Sequence, residues 1–291
     1  MPVIHPSAIV SPHAQLAQNV EIGPGCIVQA SASAPVHLAP GVRLIANVIL
    51  QGPLSIGENT TVYPNACLGL PAQDFKFSIG SPTAGVKIGA GCLIREGVTV
   101  HAATKPDIPT TIGDRVMMMV NSHAGHDAFV SNDVILANGA LLAGHSHIGE
   151  RANISGNCAI HQFNRVGRLA FVSGGVALST DVPPFCVSAG RNRLHAVNLV
   201  GMRRNGLPRE HITQVRWAFN QAFRRSLPRD EMLAKLLELG KDCPPVMEMH
   251  QFVLDAKRPI SPGLGRPTRD LVSLVRAMRS GGPLEDSGGE D

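Results

Sequence analysis

Between Ile112 and Leu178 the chain is apolar at every sixth residue. Ile112, Met118, Ala124, Val130, Leu136, Leu142, Ile148, Ile154, Ile160, Val166, Val172 and Leu178 share one phase. With 44% hydrophobic residues overall, twelve such hits in a row would arise by chance roughly once in twenty thousand trials. Four places after each aliphatic the chain reads Val116, Ser122, Ala128, Val134, Ala140, Ser146, Ala152, Cys158, Asn164, Ala170, Val176 and Val182, nearly all small or β-branched. A period of six fits neither the 3.6 of a helix nor the 2 of a strand, so it marks a structural repeat. The pattern predicts a parallel β-helix in which each hexad supplies one short strand and a corner, and three hexads close a triangular coil. The aliphatic points into the prism, where stacked coils bury a continuous apolar column. The small residue sits near the corner, and the other four places look outward.

The same phase starts at the N-terminus with Ile4, Val10, Leu16, Ile22 and Val28 and slips near residues 31–36. It resumes through Leu38, Leu44, Leu50, Ile56, Val62 and Leu68, then breaks again over residues 69–86, a stretch containing Gln73-Asp74-Phe75-Lys76-Phe77. Ile88, Ile94 and Val100 restore it, and Pro106-Asp107-Ile108-Pro109 fills or replaces one hexad. Roughly nine to ten coils result. Inserted residues do not fit inside the prism, so residues 69–86 must loop out, and such excursions commonly carry function.

After Pro183-Pro184 the period stops. A helix is expected from Leu207-Pro208-Arg209-Glu210, with Ile212, Val215, Phe219, Ala222 and Phe223 as its apolar stripe. A second runs from about Arg229 to Leu239 with Leu233, Leu236 and Leu237, stopping at Gly240. A third follows Pro244-Pro245 with Val246, Met249, Val253 and Ala256 inward. The expected organisation is a β-helix over residues 1–190 with its excursion loop at 69–86, a helical domain over 191–257, and an extended, partly disordered tail over 258–291. Within that tail Asp270–Met278 suggests a short helix.

Composition narrows the picture. At 291 residues the chain holds one or two domains, and 4% aromatics suits a narrow prism filled by Ile, Val and Leu. A formal net charge of +4 permits an acidic or phosphorylated partner and makes no case for nucleic acid. The six Cys include no C-x-x-C pair, and Cys26, Cys92 and Cys158 fall in the small-residue column. No leader pattern opens the chain and no window reaches membrane-spanning length. The expectation is a protein of a reducing, cytoplasmic compartment with no integral membrane segment.

The repeat also names neighbours. Residues 18 apart stack at roughly 4.8 Å in adjacent coils. His126 then lies beside Gly144, Gly144 beside Gln162, Asp127 beside His145, and Ala143 beside His161. The reading puts these on one outward face, with His123 at the corner adjoining it. Imidazole titrates near neutrality and can take a proton from a hydroxyl nucleophile. Asp127 would orient His126, and the backbone N–H of Gly144 would stabilise an oxyanion. Surface histidines that merely pack or bind water are the plain alternative for any one of these residues; the cluster as a whole favours chemistry.

Several segments resemble motifs of the UDP-N-acetylglucosamine O-acyltransferases. They are Asn121-Ser-His123-Ala-Gly-His126-Asp127, Leu136-Ala-Asn138, Ala143-Gly144-His145, Ile160-His161-Gln162-Phe163 and Asp181-Val-Pro-Pro184. Gln73-Asp74-x-Lys76, Val98-Thr-Val-His101 and Asn198-x-x-Gly201-x-x-Arg204 follow the family's order as well, so the resemblance spans roughly residues 3–257. It implies a left-handed prism and a homotrimer with active sites between subunits. It further implies an acyl chain delivered on the phosphopantetheine of acyl carrier protein, with no other cofactor and no metal, to the sugar 3-hydroxyl, as the first committed step of lipid A synthesis. On that resemblance His126, Asp127 and Gly144 carry the chemistry. Asp74, Lys76, His101, His123, His145, His161, Gln162, Asn198 and Arg204 contact the sugar nucleotide. Gly174 measures the acyl chain and, lacking a side chain, admits a fairly long, 3-hydroxylated one. Asn205 stands where members often carry a second Arg. Three rivals are a sibling N-acyltransferase acting on a sugar-nucleotide amine, a hexapeptide-fold carbonic anhydrase with His123 and His126 as metal ligands, and a β-helix without catalysis. The first usually adds an N-terminal domain, whereas hexads here begin at Ile4. The second leaves Gly144 and the Gln73–Lys76 loop unexplained.

Overall fold

A computed structural model describes residues 1–225 and 227–263. The hexads form a left-handed parallel β-helix. Among the described residues its three faces are sheets of eleven, nine and eight strands, most of them two or three residues long. The first face runs from Val3–Ile4 to Leu194–Val197, the second from Ile9–Val10 to Ala177–Leu178, and the third from Ala14–Leu16 to Arg165–Val166. In the regular part the register is 18 residues per coil, as in Met117↔Ile135, Ile135↔Asn153 and Asn153↔Phe171.

The core is the predicted column. Leu136, Leu142, Ile148 and Ile154 are fully buried, as are Val134, Ala140 and Ala152 from the small-residue column. Each buried aliphatic is worth about 1.5–3 kcal/mol relative to exposure, so each coil adds stability to its neighbours. Cys26, Cys92 and Cys158 are buried in it, and burial pushes their thiols up.

Three coils are longer than 18 residues. Glu21 pairs with Arg43, Thr61 with Leu93, and Leu93 with Met117, and each surplus leaves the prism as a loop. The largest spans residues 71–85. Of the two alternatives for Pro106–Pro109 it replaces a hexad: residues 102–109 make no strand and form a second, shorter excursion beside the first. Ala103 N–H donates to Gly85 O, Ala84 N–H to Lys105 O and Thr83 Oγ1 to Ala103 O, so the two excursions are stitched together.

Corners share a backbone device that the period does not reveal. From the third hexad onward the fourth place of the regular hexads takes positive φ, for example 57° at Asn121, 57° at Asp127 and 59° at His145. Asn, Asp and Gly tolerate this region, while other side chains cost roughly 1–2 kcal/mol there.

Beyond the prism come α1 (Leu199–Arg204), α2 (Arg209–Ala218), a π-helical turn over Phe219–Phe223, α3 (Arg229–Gly240) and α4 (Pro244–Leu254). The short α1 carries no sequence signal long enough to register. α2 and its π turn bury the expected Ile212, Val215, Phe219, Ala222 and Phe223. α3 departs from expectation: Met232 and Leu236 are buried, whereas Leu237 is exposed. α4 buries Val246, Met249 and Val253, and Ala256 lies past its end. Arg168 pairs with Glu248 at 2.7 Å and Arg165 Nη2 donates to Phe252 O, fixing α4 to the last coil. Pro259 O accepts from Asp181 N–H, and Leu194 N–H donates to Pro262 O, so residues 259–263 run back along the end of the prism. Asp270–Met278 and residues 281–291 lie outside the described residues.

Candidate active site

Vertical stacking places His126 and Gly144 together. A Cβ added at Gly144 would lie 2.6 Å from His126 Nε2. The location differs from the sequence reading. His126 and Asp127 occupy the turn at the edge between the second and third faces, while His123 lies on the strand His123–Ala124 of the second face. Corner and face are thus exchanged relative to expectation, because the strands are only two residues long and the third and fourth hexad places make the turn.

His126 Nδ1 and Asp127 Oδ2 are 2.7 Å apart, with 13% and 10% of their side chains exposed. An ionised carboxylate only accepts, so Nδ1 carries the proton and Nε2 is left as the free lone pair beside Gly144. Burial raises the Asp127 carboxyl, but the hydrogen bonds from His126 and Thr104 outweigh it and hold the group below the ordinary carboxylate range. Thr104 was not singled out by sequence. Its N–H lies 3.1 Å from Oδ1 and its Oγ1 donates to Oδ2 at 2.8 Å. Thr110 Oγ1, also missed, accepts the Asp127 backbone N–H at 2.8 Å. Neither has a signal in the hexad phase, since one sits in an excursion and the other at its end.

His145 Nε2 approaches the same Asp127 oxygen at 3.6 Å. Its ring meets His126 edge-on (centroids 5.1 Å) and stacks flat on Phe163 (4.5 Å, 5°). Burial lowers its basicity, partly offset by Asp127. Asp127, His145 and Phe163 all take the corner's positive φ, two of them at a steric cost. The donor atoms of His126, Asp127 and His145 lie within 4.8 Å of one another, close enough to hold a divalent ion.

Gly144 N–H donates to no backbone or side-chain acceptor among the described residues. Gly125, unremarked in the sequence, guards access to it: a Cβ there would sit 2.8 Å from that nitrogen. A groove of about 540 Å³ opens at this point, lined by His123, His126, Gly144, His161 and Gln162, and by Leu141, Ala159 and Ala177 of the second face. One end is polar and the floor is apolar, which suits a hydrogen-bonding head joined to a hydrocarbon tail.

His123 lines the groove, whereas the remaining predicted residues scatter. His123 Nδ1 bonds Thr99 Oγ1 at 2.7 Å, and burial, then its proximity to His101 and His126, pulls its pKa down to about 4. His101 is buried and its Nδ1 bonds Pro71 O at 2.8 Å, pinning the start of the 71–85 excursion. Asp74 Oδ1 accepts Lys76 N–H at 2.9 Å within that loop, Lys76 is exposed, and neighbouring Gln73 reaches the groove. Gly174 sits at the opposite edge of the second face, beside Gly156 O. Asn198 caps α1 through Gly201 N–H and donates to Leu169 O, and exposed Arg204 ends that helix. Leu169 belongs to the edge between third and first faces, so Asn198 and Arg204 do not share an edge with His126 within one chain.

Comparison with known proteins agrees with this architecture. Residues 181–261 match the family profile described as Udp N-acetylglucosamine O-acyltransferase, domain 2. The acyl-[acyl-carrier-protein]–UDP-N-acetylglucosamine O-acyltransferase of Thermodesulfovibrio yellowstonii is 39% identical over 259 residues, covering 88% of this chain and 98% of its own length. The Stutzerimonas stutzeri enzyme of the same name is 35% identical over 263 residues and is covered completely. The crystal structure of UDP-N-acetylglucosamine O-acyltransferase from Moraxella catarrhalis RH4 superposes with a TM-score of 0.83 at 33% identity, over 89% of this chain and 99% of that one. The similarity therefore extends over prism and helical end, along nearly the whole chain, which belongs to the UDP-N-acetylglucosamine O-acyltransferase family.

Proposed function

We propose that this protein transfers an acyl chain, 3-hydroxylated in the preferred donor, from acyl carrier protein to the 3-hydroxyl of UDP-N-acetylglucosamine, the entry reaction of lipid A synthesis. His126 Nε2 takes the hydroxyl proton as the oxygen attacks the thioester carbonyl. The carbonyl becomes an oxyanion facing Gly144 N–H, where a fixed dipole stabilises charge that exists only at the transition state. Collapse breaks the C–S bond, the thiolate takes the proton from His126, and the free carrier thiol departs. Asp127 holds the imidazole and stabilises its charged form. The observation carrying this reading is Gly144, whose N–H has no acceptor among the described residues and whose missing side chain leaves the His126 ring packed against it.

Asp74, Lys76, His101, His123, His145, His161 and Gln162 form the sugar-nucleotide end, with His101 acting through the loop it pins. The acyl chain lies along Leu141, Ala159 and Ala177 toward Gly174. Asn198 and Arg204 lie on another edge, which supports a homotrimer in which one subunit's Asn198 and Arg204 face the next subunit's groove. No described helix is long and apolar enough to cross a membrane, and we place the enzyme in the cytoplasm, with its phosphopantetheine-borne donor as the acyl source. His126→Ala should lower transfer at least a thousandfold while leaving assembly unchanged. Undiminished transfer would remove the general-base assignment, and stoichiometric metal bound through His126 in the active protein would favour a metal-dependent hydration instead.

A further inference from the structure

Asp127 stands between two imidazoles. His126 Nδ1 is 2.7 Å from Oδ2 and His145 Nε2 is 3.6 Å from the same oxygen. A carboxylate rotating by a modest angle would serve either ring, and only one of the two choices leaves His126 Nε2 free as a base. Something must select. Thr104 supplies the selecting contacts: N–H to Oδ1 at 3.1 Å, N–H to Oδ2 at 3.3 Å, and Oγ1 to Oδ2 at 2.8 Å. Together with His126 these account for most of the acceptor capacity of the carboxylate. The backbone of Asp127 is immobilised separately, by Thr110 and by its corner conformation, so the carboxylate torsion is the freedom that Thr104 removes.

We infer that Thr104 is a positioning residue for the acyl-transfer reaction, holding the Asp127 carboxylate on His126 and away from His145. The inference rests on the acyl-transfer reading above. Thr104 contacts the reacting groups only through Asp127, so its effect must disappear when the carboxylate does. It also connects two parts of the site. The residues beside it, Ala103 and Lys105, are bonded to Gly85 and Ala84 of the excursion that carries Asp74 and Lys76. Ordering of that loop around a sugar nucleotide therefore tightens the grip on the catalytic pair.

The test is a double-mutant cycle on the full-length enzyme, assayed with acyl carrier protein thioester and UDP-N-acetylglucosamine. Thr104→Val keeps the shape and removes the hydroxyl. Because the N–H contacts survive, kcat should fall about tenfold, the scale of one lost hydrogen bond to a charged group, with KM for the sugar nucleotide within about twofold of wild type. Thr104→Ser should restore kcat to within about threefold. In an Asp127→Ala background, which removes the acceptor altogether, Thr104→Val should change kcat by less than about twofold. Equal losses in both backgrounds, failure of the serine variant to rescue, or a valine variant at wild-type rate would each overturn the inference. If the valine variant does not fold, Thr104→Ala removes the hydroxyl without bulk and runs through the same cycle. Absence of transfer by the wild-type protein would instead sink the acyltransferase reading, so the two failures are distinguishable.

Discussion

The three edges of the prism are built from the same hexad places and serve different ends. Along the edge between first and second faces, the positive-φ place reads Gly25, Asn47, Asn65, Gly97, Asn121, Gly139, Asn157 and Gly175, wholly Gly and Asn. Along the edge between second and third faces it reads Asp127, His145 and Phe163. The first list is what backbone sterics alone would select. The second accepts two bulky side chains in a conformation that disfavours them; His145 approaches the Asp127 carboxylate and stacks on Phe163, and both line a pocket on the third face next to the groove. Between third and first faces a third solution appears: Arg115 and Arg151 flank Asp133 at 2.7 and 3.6 Å, a surface ion ladder worth little in stability. Two edges thus depart from the Gly and Asn that this geometry prefers, one for surface and end packing through Arg115, Arg151, Leu169 and Phe185 and one beside His126 and Gly144. Departure marks a place under another demand, and the chemistry of its side chains says which.

Adding one methyl group at the third hexad place on the two edges of the second face gives the largest test of this contrast. Gly144→Ala would put Cβ 2.6 Å from the His126 ring, whereas Gly174→Ala meets nothing nearer than Gly156 O at 3.6 Å. The first should lower kcat about a hundredfold, since an ångström of misplacement is felt that strongly. The second should leave the rate within about threefold and alter only the preferred acyl length, read from competition between donors. Equal rate losses would erase the distinction between edges.

Acid should expose a cost of keeping imidazole beside the working edge. His123 has a folded-state pKa of about 4, below its ordinary 6.5, so the unfolded chain binds its proton first as pH falls. Its contribution is intact above about pH 6.5 and is lost on descent toward 4, after solvent screening about 1–2 kcal/mol or several degrees in Tm. His123→Leu, matching its strand partner Leu141, should flatten the Tm profile between pH 7 and 4.5. An unchanged profile would assign the acid sensitivity to other groups.

The smallest effect concerns strain. Phe163→Asn replaces an ill-suited corner residue with the one the opposite edge uses, and should raise stability by about 1 kcal/mol. It also removes the flat stack on His145, so kcat should drop a few-fold while Tm rises. A variant that loses both, or gains both, would show that the corner conformation and the stack are not in opposition.

Much of this was readable before any coordinates. The period of six determined the prism, its inward column and the vertical pairing of His126 with Gly144, because a repeat converts sequence separation into distance. The amphipathic stripes located α2, α3 and α4, although Leu237 shows that a stripe on a short helix leaves its orientation open by a residue or two. Tertiary structure alone decided which residues form edge and which form face, since that depends on a positive φ that hydropathy does not encode. It alone revealed the grip of Thr104 on Asp127, formed across 23 residues by an excursion outside the repeat. Period-based reasoning works where every residue has a neighbour at a fixed offset; where the chain leaves the coil, contacts follow the path of the loop, and only the folded backbone defines that path.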